Sequence, residues 1–291
     1  MIRYGISFKA LEAKIKQEDS AWIGDAKALT EQFQRAGNYE DHKAIWRRIV
    51  RVYMRIQHNK CAFCERKFDD EKVGGTREFD VEHFRPKSSV KAWPPEKIRK
   101  RLPDGFPVSA GSATGYFLLP YHLYNYTVSC KPCNQGFKSN YFPIAGPSKI
   151  SGSDPRKMKT EKPDLLYPLG KFDEDPEKII RYEGVTAVPV EPRGQKNRRA
   201  VATIVFFGLN IRDEHISERA QKIAALYLAL EDANASNSVK RRLARSVVKQ
   251  YCSPKSSHTN CMRSFKKVYE EDKARAIQFI KGITELLDSG S

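Results

Sequence analysis

Apolar positions recur at three- and four-residue intervals in the first and last parts of this chain and lose that period in between. In HKAIWRRIVRVYMRIQ, Ile45, Ile49, Val52 with Tyr53, and Ile56 form one stripe, which predicts a helix. Its opposite face carries Arg47, Arg48, Arg51 and Arg55, and is either solvated or turned toward phosphate. From residue 195 onward the helical period returns. RRAVATIVFFGLN runs to a stop at Gly208-Leu209-Asn210, and the next helix places Ile216, Ala220, Ile223, Tyr227 and Leu230 on one face. Two more helices are predicted, over about 237–251 and 262–287.

The middle reads differently. Residues 58–145 are dense in Cys, His, Asn, Gly, Pro and aromatics, with short apolar runs. Residues 77–84 are predicted as a strand that brings Glu82 and His83 to its end, and 91–115 as a long loop with one short basic helix in PPEKIRKRLPDG. NQGFKSNY, just after Cys133, is expected to start a short helix. Residues 143–163 have the composition of a linker, and KIIRYEGVTAVPV has the pattern of a hairpin about Glu183-Gly184. The expected organisation is α+β: an N-terminal helical region over 1–57, a central core over 58–145, then linker, hairpin and C-terminal helices over 146–291.

Composition narrows the function. With 40% hydrophobic and 30% charged residues the chain is ordinary globular material, and no apolar tract is long enough for a bilayer. The first twenty residues lack the apolar segment of a secretory signal. The formal net charge of +17 points to a polyanionic partner, nucleic acid first. A surface serving solubility, or an acidic protein partner, is the alternative. Six cysteines, four of them in metal-type pairs, fit a reducing cytoplasm better than a disulfide scaffold.

Those pairs are Cys61/Cys64 in KCAFCER and Cys130/Cys133 in SCKPCNQGFK, and together they complete a four-sulfur site suited to structural zinc. Between them FDVEHF carries Glu82 and His83, while LYNYTVSCKPCN carries Asn125 and Asn134. Phosphodiester hydrolysis needs a base to take a proton from water and a charge to neutralise the departing oxygen. A neutral histidine serves the first need. A magnesium-type ion on a carboxylate and an amide oxygen serves the second. Adjacent strand residues face opposite ways, so Glu82 can hold an ion while His83 faces water.

The Glu-His pair, Asn125 five residues before Cys130, and Cys-x-x-Cys-Asn followed by Lys138 resemble the zinc-bound HNH nuclease motif. The resemblance implies a ββα-metal core, also called the His-Me finger. It implies His83 as general base, Glu82 as first metal ligand, Asn125 as the residue orienting the histidine through the strand–loop backbone, and Asn134 as the second metal ligand. Magnesium or manganese would be the catalytic ion, and the products 5′-phosphate and 3′-hydroxyl ends. Glu82 departs from the commoner Asp, and Asn134 from the commoner His. Across about residues 45 to 215, CAFCERKF, VEHFRPKS, GYFLLPYHLYNYTVSCKPCNQGFKSNYFP, DLLYPLG and FGLN, with Arg219 downstream, are similar to the PtuB-like HNH proteins. Those act with an ATPase in Septu and some retron anti-phage systems, so the resemblance implies an ATPase partner; DNA is expected ahead of RNA as substrate, though no residue separates the two. The competing reading is a zinc-stabilised nucleic-acid-binding subunit without catalysis.

Arg85 and Lys87 follow the Glu-His pair and are expected to grip phosphate; Lys138, one turn after Asn134, is a third candidate substrate contact. Tyr121, His122, Tyr124 and Tyr126 flank Asn125 and are expected mainly as packing. Cys252, His258 and Cys261 offer three ligands of a conceivable second zinc, while His42, His58 and His215 read as ordinary helix or loop residues. The basic stretch 240–249, with Arg263, Lys266 and Lys267, reads as a solvated face and, given the total charge, is also the expected non-specific nucleic-acid surface outside the core.

Overall fold

The computed structural model describes residues 1–40, 43–68 and 78–289; His42 and residue 77, the expected start of the first strand, lie outside them. Helix α1 (Phe8–Glu18) starts where the Ser7 hydroxyl accepts from the Ala10 amide. Asp19 then caps α2 (Trp22–Ala36) by accepting from the amides of Ala21 and Trp22, and the helix closes on left-handed Gly37. Trp22, Ala26, Leu29 and Phe33 line its buried face.

The helix expected through residues 45–57 forms in two pieces: a 3-10 stretch Ile45–Ile49, then α3 (Val50–Ile56). The break lies at Ile49, whose ψ of 4° leaves the α region. Arg48 and Arg55 are exposed, as the solvated reading of this face has it, but neither is free. Arg48 binds Asp19 and Asp25, each at 2.6 Å, and Arg55 pairs with Glu18, so both stitch this segment to α1 and α2. At the C-terminal end of α3 the Gln57 amide acts as a strand would: Nε2 donates to Val128 O and Oε1 accepts from the Val128 amide, both at 2.8 Å.

Strands β1 (Phe79–His83) and β2 (Tyr126–Cys130) pair antiparallel, with Phe79 opposite Cys130 and His83 opposite Tyr126. The chain between them includes the four-residue helix α4 (Glu96–Arg99). A seven-residue π-helix, Pro132–Lys138, follows β2 directly. Its wide turn is seen in the Ser139 amide, which donates to Asn134 O at 2.7 Å, five residues back.

The linker expected over 143–163 is packed in place. Buried Glu161 accepts from Arg85 Nε at 2.9 Å, Tyr116 Oη at 2.8 Å and the Lys149 amide at 2.9 Å. Gly146 lies so close to Thr160 that a Cβ there would come within 2.0 Å of its carbonyl oxygen. Composition alone misreads this segment because its polar side chains satisfy partners on the central core.

Strands β3 (Ile180–Glu183) and β4 (Thr186–Pro189) form the hairpin about Gly184, whose φ of 56° suits glycine. Helices α5 (Gly194–Phe206) and α6 (Asp213–Asp232) follow. The buried face of α6 is His215, Arg219, Ala220, Ile223, Leu226 and Leu230; Ile216 and Tyr227 sit at its margin. After α7 (Ser238–Tyr251), the single helix expected over 262–287 is two, α8 (Thr259–Glu271) and α9 (Lys273–Ser289), broken at Asp272 with φ −148°. Arg263 is not a free nucleic-acid contact: its guanidinium binds Glu177 at 2.8 Å and the Cys252 carbonyl at 2.9 Å.

Candidate functional site

The two Cys-x-x-Cys turns meet because β2 carries one of them and docks the other. The Ala62 amide donates to Val128 O at 3.0 Å, laying the first turn along β2, while Cys130 ends that strand and Cys133 lies in the π-helix. All four sulfurs are buried and lie within 4.8 Å of one another. Cys64 Sγ and Cys130 Sγ are 3.8 Å apart. Tetrahedral zinc with bonds of about 2.3 Å places its sulfurs about 3.8 Å apart, so this cluster could hold zinc. Arg212 Nη1 lies 3.5 Å from Cys133 Sγ, a donor that would favour a thiolate there.

Strand alternation places Glu82 and His83 on opposite faces of β1. Glu82 is buried on the face it shares with Thr127, its register partner, and with Ser129. The Thr127 and Ser129 hydroxyls are buried without a hydrogen-bond partner among the described residues. Lys138, from the π-helix, lies with Nζ 3.4 Å from Glu82 Oε1. Burial pushes the Glu82 carboxyl up to about 7 although Lys138 pulls the other way. Asn134 Nδ2 donates to Val81 O at 3.4 Å, which brings its amide alongside β1. Carboxylate, amide and unpartnered hydroxyl oxygens suit a hard divalent cation, and these residues would hold one; the Lys138 ammonium is its competitor.

On the other face His83 Nε2 donates to Pro120 O at 3.1 Å, which leaves the ring's lone pair on Nδ1. Pro120 O also accepts from the Tyr126 hydroxyl. Trp46 and Tyr126 meet the imidazole edge-on, with centroids at 4.6 and 5.1 Å. Burial, with the Lys87 charge next, pushes His83 down to about 3, so the ring is neutral at ordinary pH.

Asn125 ties the two ends of the excursion together. Its Oδ1 accepts from the Arg85 amide at 2.8 Å, and Nδ2 donates to Arg85 O at 3.0 Å and Leu119 O at 3.1 Å. That fixes both the exit of β1 and the residue preceding Pro120.

The three expected phosphate contacts separate. Arg85 is only 2% exposed, bound to Glu161 and packed over the Phe142 and Tyr116 rings at 5.0 and 5.8 Å, so it is not a surface clamp. Lys138 is fully buried against Glu82 and is not a surface contact either. Lys87 is half-buried on the His83 side, with Nζ donating to Tyr39 Oη at 2.8 Å and lying 4.2 Å from the Trp46 ring centroid. A cavity of about 920 Å³ lined by Arg3, Lys14, Arg55 and His58 includes none of these site residues. Sequence reasoning missed Trp46, Pro120, Thr127, Ser129 and Glu161. Of these, only Thr127 and Ser129 were accessible in principle, from their alternation along β2.

The conceivable second zinc on Cys252, His258 and Cys261 is not assembled among the described residues. His258 faces His215 and Glu218, whereas Cys261 Sγ lies 3.5 Å from Gly184 O. No helix among the described residues is long and apolar enough to cross a membrane.

Comparison with known proteins finds similarity to Septu protein PtuB of Bacillus mycoides (strain KBAB4), 24% identical over 209 residues. The match covers 72% of this chain and 59% of that protein's length. No family model matches, and neither does any solved structure.

Proposed function

We propose that this chain is a metal-dependent HNH endonuclease, with zinc on Cys61, Cys64, Cys130 and Cys133 as the frame of a ββα-metal core. The observation that carries the reading is the end of β1. There a neutral His83 with a free lone pair lies on one face, and Glu82, Thr127 and Lys138 lie on the other. His83 Nδ1 takes the proton of the attacking water, and the Pro120 carbonyl steadies the imidazolium through Nε2–H. Asn125 holds the backbone that presents that carbonyl. Glu82 and Asn134 would hold magnesium or manganese, which when bound neutralises charge on the departing oxygen. Lys87, beside His83, offers its ammonium to a non-bridging phosphate oxygen.

The similarity to a Septu protein supports a place in anti-phage defence; an ATPase partner and DNA ahead of RNA as substrate are proposed with it. The basic charge of the chain supports nucleic acid as the target. The test is end-mapped digestion of plasmid, single-stranded DNA and RNA, with and without magnesium or manganese, alone and with the partner ATPase. Wild type is expected to cut and His83→Ala to lose at least about 100-fold in rate, with binding and zinc content unchanged. Nucleic-acid binding without cleavage under all conditions would replace this reading with that of a non-catalytic binding subunit.

A further inference from the structure

We infer that His215, Glu218 and His258 form a second metal site, one that takes a divalent transition ion such as zinc through two imidazoles and a carboxylate. His215 and Glu218 lie three residues apart on α6, and so on one face of it, while His258 comes from the turn that starts α8. One ligand atom from each lies within 4.8 Å of the others. Around zinc such atoms stand about 3.3–3.5 Å apart, which small side-chain rotations achieve.

The second observation is what these rings lack. His215 is fully buried and His258 is 1% exposed, yet among the described residues both nitrogens of His215 and Nδ1 of His258 lack a well-formed hydrogen bond, the Cys64 thiol being the nearest group to His215 that could make one. A simple His258–Glu218 pair, at 3.0 Å, accounts for one nitrogen, and the Cys64 thiol beside His215 for at most one more, which leaves two unexplained. Metal ligation uses a lone pair of each ring. Burial also holds the His258 imidazole unprotonated, as a ligand must be.

Of the neighbouring cations, Lys222 has acceptors of its own, whereas Arg219 is satisfied only through Nη1, its Nε and Nη2 having no partner among the described residues. Arg219 donates to the carbonyls of Leu209 and Val185, and Lys222 to Ser256 and Ser257. Glu218 is 38% exposed, which gives an ion a path from solvent, and three protein ligands leave one position open. The ion would act as a clasp. The His258 amide donates to Glu65 O and the Asn260 amide to Glu65 Oε1, so the site joins α6 and α8 to the turn that carries Cys64. The inference stands apart from the nuclease reading and needs no catalytic activity.

The test is metal content by mass spectrometry on the full chain, with cobalt(II) spectra to separate thiolate from nitrogen–oxygen ligation. Wild type is expected to hold one more zinc per chain than His215→Gln/His258→Asn, with the cobalt–thiolate charge-transfer band unchanged between them. Asn at 258 keeps a residue that tolerates the left-handed conformation there, φ 51°. Should the double variant fold poorly, Glu218→Gln decides: it keeps hydrogen-bonding capacity but is expected to weaken the extra zinc at least about tenfold. Equal zinc counts in wild type and a folded double variant, or equal zinc affinity in wild type and Glu218→Gln, overturns the site.

Discussion

His122 shows how much one buried side chain can do without touching any reaction. Its Nδ1 accepts from the Tyr124 amide at 3.1 Å, at the turn that leads into Asn125. Burial pushes this imidazole down to about 4 from 6.5, against the pull of Asp154. Between those two values the unfolded chain binds a proton that the folded one refuses. Stability therefore falls as pH drops through that window, by at most about 1.4 kcal/mol per pH unit. His122→Asn keeps an acceptor for the Tyr124 amide and removes the titration. Urea denaturation at pH 4.5 to 6.5 is expected to give a flatter slope for the variant; parallel slopes would contradict the assignment. Glu82, Lys138 and Asn134 make the complementary point. Their types and spacing were readable from the chain, but the direct Glu82–Lys138 contact depends on how the π-helix lies across β1, and no local pattern encodes that.

Among the elements, the segment over 146–163 departs furthest from its composition. Arg85 is its anchor through Glu161, and both side chains are essentially buried. Removing one member of such a pair strands the other charge in the interior. Arg85→Leu is expected to cost about 3–5 kcal/mol of stability while leaving nucleic-acid affinity unchanged when measured below its melting temperature. A surface phosphate clamp would give the opposite: unchanged stability and weakened binding. Strands β1, β3 and β4, the thiol turns and most helices were legible, because alternation, Cys spacing and the helical period are local signals; β2, buried at all five positions, shows no alternation of buried and exposed positions and was not read from its own residues. Helix breaks at Ile49 and Asp272 were not, since each interrupts a pattern that continues on both sides. Nor were Arg85–Glu161 and His215–Glu218–His258, whose members are remote in sequence and meet only through packing. Periodicity tells which face is buried, not what lies opposite.

Over the whole molecule the positive charge is unevenly deployed. Arg48, Arg55, Arg85, Arg199 and Arg263 are each committed to a carboxylate within the protein. On α7, Arg242 and Lys249 are exposed, seven residues apart on one face, next to the exposed Leu243. For the proposed nucleic-acid target, this is the surface we expect to hold it. Arg242→Glu/Lys249→Glu is expected to weaken nucleic-acid binding and to lower the slope of log affinity against log salt by about 0.9 for each phosphate no longer neutralised. Filter binding at several ionic strengths reads both quantities. An unchanged slope would place the polyanion elsewhere on the protein.

The thiol cluster also has a history in time. Cys64 and Cys130 are 66 residues apart in the chain. At translation rates of about 5–20 residues per second, the first pair leaves the ribosome roughly 3–13 seconds before the second begins to follow. For that interval the nascent protein carries two reactive thiols with half a coordination shell and no β2 to lie against. With zinc on the four sulfurs as proposed, cellular zinc supply and protection of those thiols from oxidation would bear on the yield of folded protein during synthesis, before any question of what the finished molecule does.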